Sequence, residues 1–229
     1  MTSPLAGKRI AVLDLETLRS ASDCRVCFTG QVQHPPPGTG ICPGYQAIGW
    51  DDHALLGLSI GCYYDYRDST TYWFDTTTVH NTIFSLTMTN YLLVSFNGLT
   101  FDFPVMRTVA AAQNVNGSTG LYEDFTALCT RSYDILDKIW QVDSNNKFGR
   151  GLNGLDAIAQ ANGLPAKAMD GTQAPTLWRQ GRYAEALNYC AADVMKTRWL
   201  FEHIVEGKPF LRGDGQPITL PAPALDAYA

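Results

Sequence analysis

The segment of residues 10–17, IAVLDLET, constrains the fold more than any other part of the chain. Its apolar run predicts a buried first strand over residues 8–15, and that run closes on two carboxylates, Asp14 and Glu16. Side chains alternate along a strand, so Ile10, Val12, Asp14 and Glu16 share one face while Ala11, Leu13 and Leu15 share the other. Two acids side by side over a sheet repel unless a cation or a proton lies between them. On this segment alone they also read as solvated charges at a strand end.

The remaining pattern is that of an α/β chain. Residues 56–66 (LGLSIGCYYDY) and 71–74 read as a hairpin turning at RDST. A short helix is expected over 79–88, and YLLVSF (91–96) is a compact buried strand closed by Asn97-Gly98. A helix follows over 103–113, with Pro104 tolerated in its first turn. Residues 132–135 suggest a short strand leading into a helical patch at 136–140. Residues 155–162 form an amphipathic helix stopped by Gly163 and Pro165. The clearest helix spans 183–205, with Leu187, Val194, Phe201 and Ile204 close to a 3.6-residue period. The tail from 208 reads as a small hairpin at Gly213-Asp214-Gly215 and then a frayed end. Hairpin followed by alternating helix and strand predicts a mixed sheet of about five strands flanked by helices, with the first strand and YLLVSF as parallel neighbours. Such sheets carry sites at the carboxyl ends of their strands.

Further acids fall where that site is expected. Asp102, in NGLTFDFP, follows the buried strand and opens a helix, a position an N-cap would also explain. Asp193 lies in YCAADVMK within the longest helix, beside its apolar stripe, where an unpaired charge is expensive. Tyr189, four residues earlier, is about 40° away around the axis and shares its face.

The motifs DLET, NGLTFD and YCAAD, in this order and at these separations, resemble the DEDDy group of 3′–5′ exonucleases. These are relatives of proofreading polymerase exonuclease domains and of ribonuclease D, with a ribonuclease H-like fold. The similarity extends over GWDDHALLGLSIGCYYDY, SYDILDKIW, LNGLDAIAQANGL and LWRQGRYAEALNYCAADV. The resemblance implies that Asp14, Glu16, Asp102 and Asp193 hold two divalent ions, Mg²⁺ or Mn²⁺, and that the Tyr189 hydroxyl positions the attacking water. Among the residues expected at the substrate, Thr17 lies near the terminal ribose, Asn97 shapes the cleft beside Asp102, and one of the flanking Phe101 and Phe103, with Phe101 the candidate, stacks on a base. The implied activity is stepwise hydrolysis from the 3′ end of single-stranded DNA. An exoribonuclease of the ribonuclease D kind and a non-catalytic nucleic-acid-binding module on the same fold are the alternatives. The expected partner is the 3′ end of a single-stranded nucleic acid, with the chain acting either alone or within a larger replication or repair complex.

Residues 20–49 differ in kind: rich in Gly, Pro and Cys, they show neither period and read as a loop inserted into a domain spanning 1–207. Cys24, Cys27, His34 and Cys42 form a candidate Cys₃His set for one structural Zn²⁺, with the usual two-residue gap in the first pair. Cys62, Cys129 and Cys190 read as small core residues. The formal net charge of −5 argues against a protein that coats duplexes, but suits an enzyme that meets phosphates through metal ions. No apolar run approaches the ~20 residues of a membrane span, and the N-terminal segment lacks a signal-peptide core, so no membrane partner is expected and the expected location is cytoplasmic.

Overall fold

The computed structural model describes residues 4–28, 45–113, 119–144, 152–167 and 173–229. Five strands, β1 (Ile10–Thr17), β2 (Leu58–Asp65), β3 (Thr70–Asp75), β4 (Leu92–Ser95) and β5 (Tyr133–Asp134), form one sheet in the order β3-β2-β1-β4-β5. The β1-β2 and β2-β3 pairs are antiparallel. The β1-β4 and β4-β5 pairs are parallel. This mixed α/β sheet, with a hairpin feeding parallel strands, is the ribonuclease H-like architecture expected from the motifs.

Alternation along β1 sorts the core into two layers. Ile10 and Val12 face a cluster containing Cys62, Val94, Leu200, Phe201 and Ile204, the last three from the long helix α9 (Tyr183–Val205). Helices α6 (Ile135–Val142) and α7 (Leu155–Ala161) add Ile139 and Ile158 to this layer. Ala11 and Leu13 face the other way, onto α3 (Val79–Met88), α4 (Asp102–Gln113) and α5 (Thr119–Thr130) through Ile83, Met106 and Phe125. Cys62, Cys129 and Cys190 are buried, as their segments suggested. Among the described residues, no helix is long and apolar enough to cross a membrane.

Several elements depart from expectation. Strand β1 runs on to Thr17, because antiparallel pairing with β2 continues through Glu16↔Ile60 to Thr17↔Leu58, so the two acids lie inside the strand. The register shifts between Glu16 and Thr17, where Ser59 Oγ donates to the Glu16 carbonyl at 2.9 Å. Such bulges commonly re-aim a side chain beside a site. The helices α2 (His53–Leu56), α5 and α8 (Ala174–Arg179) were not foreseen.

The stretch read as an inserted loop contains a one-turn helix, α1 (Arg25–Phe28), and a bridge from Cys24 to Ala47. The tail forms the expected hairpin, β6 (Phe210–Leu211) with β7 (Pro217–Ile218). Its end is held rather than frayed: Arg9 N donates to the Tyr228 carbonyl at 2.8 Å, and Leu220 is buried in the α9 core layer.

Candidate active site

The carboxyl end of β1 meets the first half of α9. Cys190 packs directly beneath Asp14, its thiol 3.4 Å from the Asp14 carbonyl and 3.6 Å from Cys62 Sγ, so the helix is seated on the sheet at this point. On either side of Cys190, α9 presents Tyr189 and, about one turn on, Asp193 to the cleft that the acids of β1 line. One carboxylate oxygen from each of Asp14, Glu16 and Asp193 lies within 4.8 Å of the others. Asp102 comes from a third element, the first turn of α4, and lines the same cleft of about 180 Å³ together with Asp14, Glu16, Tyr189 and Asp193. All five residues implied for catalysis are therefore brought to one place. Asp102 lines this cleft but is not one of the trio whose oxygens lie within 4.8 Å of one another.

The loop that delivers Asp102 is held from below. Asn97 takes φ +75°, a left-handed conformation that asparagine tolerates. Gly98 follows because a Cβ there would sit 2.4 Å from Ser95 Oγ. Asp134 accepts from the backbone N–H groups of Asn97 (3.0 Å) and Leu99 (2.9 Å) while also capping α6 through Leu136 and Asp137. One buried carboxylate thus ties the Asp102 loop to the end of β5. Its signal in the sequence is an acid at a helix N-cap, which is common and points to no site.

The electrostatics of the cleft are those of acids in need of a counter-charge. Burial first, then repulsion from Asp193, pushes the Asp14 carboxyl up to about 8. Burial and the neighbouring Asp14 and Asp193 raise Glu16, and burial with Asp14 and Asp134 raises Asp102. Such a cluster holds protons or cations near neutrality, since an uncompensated buried ion costs several kcal/mol. The oxygen-only donor set suits Mg²⁺ or Mn²⁺.

Two lysines, neither singled out by the motifs, stand behind Asp193. Lys167 forms an ion pair with Asp193 Oδ2, and its Nζ donates to the Tyr189 hydroxyl oxygen at 2.9 Å. Burial would lower the Lys167 ammonium, but Asp193 more than offsets this and holds it above the usual lysine range. Lys196, itself buried, reaches Asp193 Oδ1 at 3.3 Å and Asp156 Oδ1 at 3.2 Å. Asp156 in turn accepts from the backbone N–H of Lys167 at 2.9 Å, so α7 anchors the segment carrying that lysine. Burial raises the Tyr189 phenol above its ordinary value, against the lowering effect of Lys167. The hydroxyl therefore keeps its proton near neutrality. Its oxygen accepts from Lys167, which leaves the O–H to donate elsewhere. Lys196 was readable in principle, three residues after Asp193 on one helix face. Lys167 lies on a loop with no period to betray it.

Of the residues implied for substrate, Thr17, Asn97 and Phe101 all line the cleft. The Thr17 hydroxyl donates to the Arg19 carbonyl at 2.8 Å and Asn97 Oδ1 accepts from Thr100 at 2.6 Å, so both side chains also serve the local turns. Phe101 is half-buried against Trp50, an exposed residue the motif reading passed over. Of the candidate zinc set, Cys24 and Cys27 lie at the start of the insertion, and His34 and Cys42 fall outside the described residues.

A family model described as a predicted 3′–5′ exonuclease related to the exonuclease domain of PolB matches residues 75–211. This stretch is more than half of the chain and contains Asp102, Lys167, Tyr189 and Asp193. No curated protein and no solved structure matches the chain.

Proposed function

The chain belongs to the family of predicted 3′–5′ exonucleases related to the exonuclease domain of PolB, and from that premise we propose that it removes nucleotides one at a time from the 3′ end of single-stranded DNA by divalent-metal-dependent hydrolysis. The observation that carries this reading is the convergence of four buried or nearly buried acids from β1, α4 and α9 on one cleft, three of which, Asp14, Glu16 and Asp102, are raised by burial above the carboxylate range. Asp14, Glu16 and Asp193 are grouped closely enough to share a divalent ion, and Asp102 lines the same cleft. A pair of such ions, when bound, supplies an activated water and relieves charge on the departing 3′ oxygen.

The protein groups orient and exclude. Lys167 fixes the Tyr189 hydroxyl by donating to its oxygen, so the phenolic proton points toward the water or the phosphate rather than sampling rotamers. The raised phenol acts as a donor that orients, not as a base. Lys196 and Asp156 hold Asp193 and Lys167 in register. The relationship to PolB favours DNA over RNA, and replication or repair is the setting in which such trimming is used.

A 5′-labelled single-stranded oligodeoxynucleotide incubated with Mg²⁺ or Mn²⁺ should yield a ladder of products shortened from the 3′ end, with none in chelator. An RNA strand of the same sequence should be degraded more slowly. Internal cuts at short times would make the protein an endonuclease, and an intact strand under all metals would reduce it to a binding module. Within the same assay, Tyr189→Phe should lower kcat by about a hundredfold, the range of a positioned proton donor, and leave KM within about threefold. An unchanged kcat removes the hydroxyl from the reaction.

A further inference from the structure

The reading above accounts for the acids and the lysines but gives no role to Trp50, which also lines the cleft. Trp50 is 56% exposed although it is the largest apolar side chain a protein can carry. It lines the acid cleft at its mouth, its ring edge-on to Phe101 with centroids 5.7 Å apart, and Phe101 also meets His53 edge-on at 6.2 Å.

Trp50 is held in place. The two stems of the segment between β1 and β2 pair with each other: Ile48 N donates to the Asp23 carbonyl at 3.0 Å and Gly49 N to the Ala21 carbonyl at 2.9 Å. Gly49 then turns the chain with φ +80°, a conformation glycine adopts freely, and Trp50 follows. Arg25 pairs with Asp52 at 2.6 Å on one side, and Arg179 of α8 pairs with Asp23 at 2.7 Å on the other. Ala21, Ile48 and Leu56 bury a small core of their own beneath the turn. The fold thus spends ion pairs and a separate core on presenting an indole to solvent beside the acids.

Resting on the exonuclease reading, we propose that Trp50, backed by Phe101, is the stacking platform for the 3′-terminal nucleobase. The acids attract the phosphodiester through cations, so the base of the same nucleotide must lie at the rim of the cleft. There a flat apolar face is what it can bind without sequence preference. A base stacked on Trp50 is unavailable for pairing, which makes the platform a selector for unpaired 3′ ends.

The test reads binding and requires no turnover. Fluorescence anisotropy with 5′-fluorescein-labelled oligothymidylate, Ca²⁺ replacing Mg²⁺, is compared with the same strand carrying an abasic 3′-terminal residue. Trp50→Ala should weaken binding of the intact strand about tenfold, the scale of one stacked base, and leave the abasic strand within about twofold. Trp50→Phe should restore most of the loss, and both variants should melt with the unmodified protein because the side chain is exposed. Equal weakening for both strands, or weakening for neither, overturns the platform while leaving the exonuclease reading intact. If the unmodified protein binds neither strand, the exonuclease reading falls and takes the platform with it.

Discussion

Asp14→Asn is expected to slow strand degradation by about a thousandfold or more and at the same time to raise the melting temperature of the protein in chelator at pH 8. The first effect follows from the position of Asp14 in the trio that could hold a divalent ion. Losing one charged ligand there removes several kcal/mol of transition-state stabilisation, and each 1.4 kcal/mol is about tenfold in rate. The second follows from burial and from the repulsion of Asp193, which together push its carboxyl up to about 8. An amide of the same shape carries no such penalty, so the folded state gains on the order of a few kcal/mol. Asp193→Asn should be as inactive but less stable, because Lys167 loses the carboxylate it pairs with and Lys196 keeps only Asp156. Activity assays beside thermal melts of the two variants check this. Loss of stability in both, or full activity in either at limiting metal, contradicts it.

Without divalent ions, the unmodified protein should lose stability as pH rises from about 4 to about 8. Burial and Asp193 push the Asp14 carboxyl from its ordinary 3.8 up to about 8, and Glu16 and Asp102 shift in the same direction. Between those limits the folded state holds protons that the unfolded chain has released, so unfolding is increasingly favoured as pH rises. Below about 4 Asp14 is protonated in both states, and above about 8 it is ionised in both, so its contribution flattens at either end. Mg²⁺ binds the ionised cluster and should reverse the trend, raising the melting temperature by several degrees at pH 8 and by little at pH 5, where protons hold the site. Melts across pH in chelator and in Mg²⁺ measure both arms. A stability that rises with pH in chelator would mean that these carboxylates are solvated.

The parts of the site that were legible lie on regular elements. The period of two in β1 put Asp14 and Glu16 on one face, and the period of 3.6 in α9 put Tyr189 beside Asp193. In the structure those two faces meet, with Cys190 seated beneath Asp14. Asp102 was legible only through the order of the three motifs, since an acid at the start of a helix also reads as an N-cap. Lys167 and Trp50 were not, because each is delivered by a loop whose position is set by distant partners: Asp156 for the one, and the paired stems around Asp23 and Ala21 for the other. Helix α5 was missed although Phe125, Leu128 and Cys129 give it a buried face. Its Gly120 and Thr-rich ends read as loop, and tertiary packing against α3 outweighed that weak propensity. The extension of β1 past Leu15 depended on β2 reaching far enough to pair with it, a fact of register that one strand alone does not carry.

The central claim is that acids distant in the chain form one cation centre. Calorimetric titration of Mn²⁺ into the protein near pH 7.5, in two buffers of different ionisation heat, tests it most directly. At least one Mn²⁺ per chain should bind with release of protons, and Asp14→Asn should weaken that binding about tenfold or more. Failure to bind Mn²⁺ at millimolar concentration, or binding that is indifferent to Asp14→Asn, would contradict it.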